Sequence, residues 1–518
     1  MTVVTAPAGA WRGARHGRTY VFHGIRYAEA DRFEPPRRPA PHQGVLDAVS
    51  PGPAAPQTPS RLEGVMGAPA PVPQSEDCLR LTVTTPRPGP ARPRPVLVWL
   101  HGGAYLSGSG EWNLYDAERL SAEGDLVVVS VGYRLGALGY LRAPGVCDGN
   151  LGLRDQIAGL EWVRDNIAAF GGDPERVTVA GQSAGAHSIA ALLGIPGAGQ
   201  GVERVILQSA PLGLDFAPPG AAERVGALFL RELAAELGPD RRPLAPGTHR
   251  GRRQPTARTS RGPDRGLPST PAPDEDAPAG PHVDARGAPL PAVLAAQART
   301  ARRLAGRLGL NSAPPFLPVA GVGPLPPRIA WHENLIRRAR TGRLDVLIGT
   351  TRDEARAFYG RHHPVLSRVR RLPAAGDALA DRFERAVQQR VFDAPTWRLA
   401  DLLAASGART YRYLLDPLAP GAPFGACHCL ELPLLFGAPE DWATAPMLAG
   451  TDPALIEAAG ARMRARWSRF VHTGSPGPDP GPASAPDPTA DADLDAYAGE
   501  GGHEARHEPG SRTPIRLP

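Results

Sequence analysis

Five consecutive residues, Gly181-Gln182-Ser183-Ala184-Gly185, could do chemistry. They follow the apolar run Arg176-Val177-Thr178-Val179-Ala180 and precede a segment with Ile189, Leu192 and Leu193 on one helical face. Strand, tight turn and helix in that order make a nucleophile elbow. The glycines admit a turn too sharp for neighbouring side chains, and the serine is lifted above the end of the strand. The helix that follows points its N-terminus at the same place, where negative charge is favoured. A serine hydroxyl is a poor nucleophile, so Ser183 requires a base, an acid that orients the base, and N–H groups for an oxyanion. Gly102 and Gly103, after His101, allow close backbone approach, and Ala184 follows the serine; each can offer an N–H. In this arrangement the acid comes after the serine and the histidine after the acid. The apolar run 344–350 leads into Thr351-Arg352-Asp353-Glu354, which leaves Asp353 and Glu354 as acids, with a histidine still further on.

These groups must be carried by a sheet. Pro95 to Leu100 and Leu126 to Val131 are short apolar runs that end at turns, and both read as buried strands. Leu153, Ile157, Leu160, Val163 and Ile167 recur at steps of three and four, one apolar helix face closed by Gly171-Gly172 and Pro174. Val205 to Leu207, 344–350 and Thr410 to Leu415 read as further strands, and Ile456, Ala459, Met463, Trp467 and Phe470 as a late helix. Strands alternating with helices predict an α/β fold with a mostly parallel central sheet flanked by helices. One catalytic domain is expected over 1–475, interrupted at 239–291. Those 53 positions hold 12 prolines, and no aromatic residue occurs between Phe229 and Phe316. Such a stretch buries too little apolar surface to offset its ordering entropy, so it is expected to be a disordered Pro/Arg-rich insertion, with order resuming near Leu294. A loose tail is expected over 476–518.

All 58 basic residues are arginine, and this excludes whole classes of chemistry. A P-loop, a protein kinase, a pyridoxal Schiff base and a Ser-Lys dyad each need a lysine. Arginine cannot replace it, because the guanidinium stays protonated. The net charge of +6 over 518 residues does not call for nucleic acid. Four cysteines are too few for a disulfide scaffold. No apolar run has the length of a signal peptide or a membrane span, so a cytoplasmic protein without a membrane partner is expected. Cys427-His428-Cys429 is not read as a metal site, since adjacent ligands chelate one tetrahedral ion poorly. Neither a metal nor a cofactor is expected.

Seven ordered blocks and one near the end then carry a resemblance. They are Phe22 to Ala28 with Arg32-Phe33, Glu76 to Leu81, His101 to Tyr105, Tyr133 to Gly139, Gly149 to Gln156, Phe170 to Pro174, Gly181 to Gly185, and His428 with Glu431 to Gly437. Together they resemble the type-B carboxylesterases, the family of bacterial para-nitrobenzyl esterases and animal cholinesterases. The resemblance covers roughly 20–240 and 295–475. It implies an α/β-hydrolase fold and a serine carboxylic-ester hydrolase that works through an acyl-enzyme on small-molecule esters. It implies Ser183 as nucleophile, Glu354 as acid and His428 as base, with Gly102, Gly103 and Ala184 as oxyanion donors and Ser209 as a supporting serine.

Three departures from the family pattern bear on function. Gln182 stands where the family usually has a glutamate, which removes a negative charge that would stabilise an imidazolium. No cysteine precedes Cys78, so the bridge that secreted relatives make there is absent. The loop 50–77 has no aromatic residue, and a choline ammonium is usually held on an aromatic face. His187, one helical turn after Ser183, reads as structural or pocket-lining, and His101 as acting through loop shape. The alternative to catalysis is a noncatalytic or damaged interaction protein on the same fold. The presence of all three triad candidates argues against it. The sequence leaves the oligomeric state open.

Overall fold

The computed structural model describes residues 1–89, 91–238, 283–306, 310–311, 313–360, 363–477, 510–511 and 513–517. Among them, twelve strands form a sheet in the order β1-β2-β3-β5-β7-β6-β8-β9-β10-β11-β12, with β4 beside β2. In chain order these are β1 (Thr2–Ala6), β2 (Gly9–His16), β3 (Thr19–Arg26), β4 (Val45–Asp47), β5 (Arg80–Thr85) and β6 (Arg94–Leu100). They continue as β7 (Val127–Val131), β8 (Gly172–Gln182), β9 (Val202–Gln208), β10 (Asp345–Thr351), β11 (Arg409–Leu415) and β12 (Ile515–Leu517). From β1 through β5 to β7 the neighbours on the main path are antiparallel. From β7 through β6 to β12 every pairing is parallel.

The parallel strands β6, β7 and β10 are buried on both faces, as their continuous apolar runs require. Along β6, Val96, Val98 and Leu100 face one core, while Leu97 and Trp99 face the other. The first core takes Leu153, Leu160 and Val163 from the helix Leu151–Asn166 and Ile189 and Leu193 from the helix Ala184–Leu193. The second takes Met463, Trp467 and Phe470 from the helix Pro453–Thr473. Asn150, in the left-handed region at the head of Leu151–Asn166, donates to the carbonyls of Val319 and Val322 and accepts from Val319 N–H. One asparagine therefore fixes both the entry to that helix and a distant loop.

Two segments differ from the sequence reading. Of the expected insertion, 239–282 lies outside the described residues, but order is present from Val283 onward. Ala285 and Ala288 are buried, and the helix Leu290–Ala305 begins before Leu294. The cause is Arg32, which donates to the carbonyls of Ala285, Arg286 and Ala288 while pairing with Glu76. Of the expected tail, 478–509 lies outside the described residues. Ile515–Leu517 nevertheless extends the sheet beside β11, with Ile515 and Leu517 buried and Arg516 outward. Three alternating residues are too few for a periodicity to announce. Among the described residues, no helix is long and apolar enough to cross a membrane.

Candidate active site

Four of the parallel strands deliver site residues at their carboxyl ends, where open α/β sheets bind ligands. His101 follows β6, Ser183 follows β8, Ser209 follows β9, and Glu354 stands three residues beyond β10. Ser183 sits at φ 55° and ψ −121°, a conformation that costs a non-glycine residue roughly 1–3 kcal/mol. Its backbone is held on both sides: Ser183 N–H donates to Gln208 O at 2.9 Å, and His187 N–H donates to Ser183 O at 2.9 Å. A side chain on Gly185 would run into the carbonyl of Leu100. One on Gly102 would lie 2.7 Å from Gln182 Oε1 and 3.2 Å from Ser183 Cβ. These glycines let the two loops touch.

Ser183 Oγ lies 2.8 Å from His428 Nε2, and His428 Nδ1 lies 2.5 Å from Glu354 Oε2. An ionised carboxylate only accepts, so Nδ1 carries the proton and Nε2 accepts from the serine. The other carboxylate oxygen, Glu354 Oε1, accepts from Thr351 N–H at 2.8 Å. Of the two acids in Thr351 to Glu354, Glu354 is the one that reaches the imidazole. Asp353 turns away, accepting from Ala426 N–H at 3.0 Å and pairing with Arg356. It still serves the site, because its backbone and that of Ala426 tie the acid loop to the histidine loop. The His428 ring packs against the touching pair Phe358 and Phe392, with centroids 5.1 and 5.3 Å away, which shields its bonds from water.

Among the described residues, no backbone carbonyl accepts from the N–H groups of Gly102, Gly103 and Ala184. Gly102 and Gly103 line one cleft at Ser183, and Ala184 lines a second. Both clefts open to solvent, and they share Arg61, Ala104, Ser183 and Phe358. His101 contributes shape: its ring is buried, stacks on Tyr133 at 4.3 Å, and meets Gly102 O through Nδ1. Burial draws its pKa down to about 4, so it stays neutral. His187 is likewise drawn down to about 4 by burial, and its Nδ1 meets Tyr105 OH at 2.8 Å.

Gln182 is buried, and its amide nitrogen lies 3.2 Å from His428 Nε2. Ser209 does not touch the histidine. Its hydroxyl donates to Glu431 Oε1 at 2.5 Å, and Tyr413 OH donates to the same oxygen at 3.2 Å. Glu431 Oε2 has no partner among the described residues. Burial and the nearby Glu354 charge push the Glu431 carboxyl up to about 7. Sequence reasoning gave Glu431, Tyr413, Phe358, Phe392 and Arg61 no role. Only Glu431 had a signal within reach, three residues after His428.

The profile of the Carboxylesterase family matches residues 1–238. A probable N-octanoylanthranilate hydrolase of Rhodococcus erythropolis is 51% identical over 472 residues, covering 91% of this chain and 93% of its own. The para-nitrobenzyl esterase of Bacillus subtilis is 30% identical over 501 residues, covering 92% of this chain and 90% of its own. A thermophilic pNB esterase of known structure superposes with a TM-score of 0.68 at 27% identity, covering 92% of this chain and 91% of that one.

Proposed function

This chain belongs to the carboxylesterase family, and we propose that it hydrolyses small carboxylic esters through an acyl-enzyme on Ser183. The observation that carries the proposal is the unbroken chain from Ser183 Oγ through both nitrogens of His428 to Glu354, beside three N–H groups that no backbone carbonyl takes. His428 takes the serine proton as Oγ attacks the ester carbonyl. Glu354 holds the tautomer and stabilises the imidazolium. The N–H groups of Gly102, Gly103 and Ala184 receive the oxyanion. The imidazolium then protonates the departing alcohol. Water, deprotonated by the same histidine, releases the acid and restores Ser183.

The relative from Rhodococcus erythropolis is named for N-octanoylanthranilate. An acyl arm of similar length suits this chain's second cleft, which Leu214, Leu317, Val391 and Phe392 line. The test is Ser183→Ala assayed on p-nitrophenyl butyrate and octanoate. The expected loss in kcat is roughly 10⁴ to 10⁶. A purified, folded Ser183→Ala enzyme with near-parental activity contradicts the proposal.

A further inference from the structure

Among the described residues, Arg61 is the one arginine that lines the clefts at Ser183, and no ion pair to an acid holds it. It borders both clefts, as do Ala104, Ser183 and Phe358. Its guanidinium carbon stands 5.9 Å from the centroid of the Phe358 ring, which also packs against His428. The side chain is open to solvent at the mouth, yet protein atoms crowd it enough to draw its pKa below the ordinary value. Among the described residues, the only titratable group that opposes this shift is Tyr359; no carboxylate contributes. Away from these clefts, Arg134 pairs with Asp155 and Arg370 with Asp377, Asp381 and Glu384, while Arg338, also drawn down by burial, donates to the carbonyls of Ala198, Gly199 and Val202.

The clefts themselves are poor in negative charge. The second has no acidic lining residue, and its histidine, His187, is held neutral. The first has Glu63, whose Oε1 accepts from Ser60 N–H at 3.0 Å rather than pairing with Arg61. Gln182, next to the nucleophile, presents an amide and not a carboxylate. A guanidinium left unpaired in thinned hydration gains from a carboxylate, whose two oxygens match its fork.

We propose that Arg61 anchors a carboxylate on the substrate, so that the preferred esters are anions carrying that carboxylate within a few bonds of the scissile carbonyl. The short distance follows from Arg61 and Ser183 bordering the same two clefts. This inference rests on the esterase reading and adds the charge class of the substrate and the residue that selects it.

The test compares octanoate esters of 2-, 3- and 4-hydroxybenzoate, each against its own methyl ester. In the parent enzyme at low salt, at least one carboxylate substrate is expected to exceed its methyl ester by about tenfold in kcat/KM, through a lower KM. That ratio should shrink as salt rises, because the contact sits at a solvent-open mouth. Arg61→Gln should bring the ratio to about one, and Arg61→Lys should retain part of it. A parent that prefers every methyl ester overturns the inference, as does a ratio unchanged in Arg61→Gln. If Arg61→Gln does not fold, a parental preference that ignores salt overturns it equally. Ser183-dependent turnover of the methyl esters without any carboxylate preference sinks this inference and leaves the esterase reading standing. A folded parent that turns over none of the esters sinks both.

Discussion

The pairs Arg134–Asp155 and His428–Glu354 are both buried, and they differ in what they leave unpaired. In one, Arg134 makes a two-pronged contact with Asp155, Nε to Oδ2 at 2.8 Å and Nη2 to Oδ1 at 2.7 Å. Asp155 Oδ2 also accepts from Arg134 N–H, and Arg134 Nη1 donates to Glu34 O. Arg134 pins the turn after β7 to the helix Leu151–Asn166, and no cleft reaches Ser183 from there. In the other, Glu354 and His428 are as deeply buried, but the chain ends on Ser183 Oγ, which opens into two clefts. The same ingredients hold a fold where the two charges are spent on each other. They become reactive where one end is left for a substrate.

Breaking each arrangement should separate these roles. Glu354→Gln keeps the shape but releases the imidazole tautomer. It should lower kcat by roughly 10⁴ on p-nitrophenyl esters, with a folded circular dichroism spectrum. Asp155→Ala strands a buried guanidinium and should cost about 3–5 kcal/mol in chemical denaturation. The molecules that remain folded should keep kcat within about twofold of the parent; a large kcat loss there would erase the distinction.

Gln182→Glu sharpens the picture of the reactive end. A carboxylate beside His428 Nε2 favours the protonated ring, while attack on the ester needs the neutral one. The acid limb of kcat/KM should move to higher pH by about one unit, read from a pH–rate profile. The smallest effect is expected at Glu431. Its carboxyl is pushed up to about 7 from its ordinary 4.5. Between these values the folded state keeps a proton that the unfolded chain has released, so this group makes stability fall as pH rises through that window. Glutamine cannot titrate, and in Glu431→Gln the fall in Tm between pH 5 and 8 should be shallower than in the parent.

What was legible in the sequence is local. The apolar runs at 95–100, 126–131, 344–350 and 410–415 appear as β6, β7, β10 and β11, each within a few residues. The serine turn and its flanking strand and helix stand where their spacing put them, because a two- or three-residue turn between periodic segments has few solutions. What was hidden is relational. Arg32 orders 283–288 from more than 250 residues away. Phe358 and Phe392 close on His428 from separate segments, and Tyr413 reaches Glu431 from the interior of β11. Arg61 lies in a loop without apolar periodicity, so only the folded clefts show which surface it faces. The histidine loop was placed by resemblance; the spacing of Ser183, Glu354 and His428 carries no physical rule of its own.

The most direct measurement of the central claim is fluorophosphonate labelling, read by intact mass and then by peptide mapping. The account predicts one adduct per folded parent molecule, on the peptide that contains Ser183. It predicts no adduct in Ser183→Ala and labelling slowed by orders of magnitude in His428→Ala. A folded parent that takes no label, or one labelled at another serine such as Ser209, would contradict it.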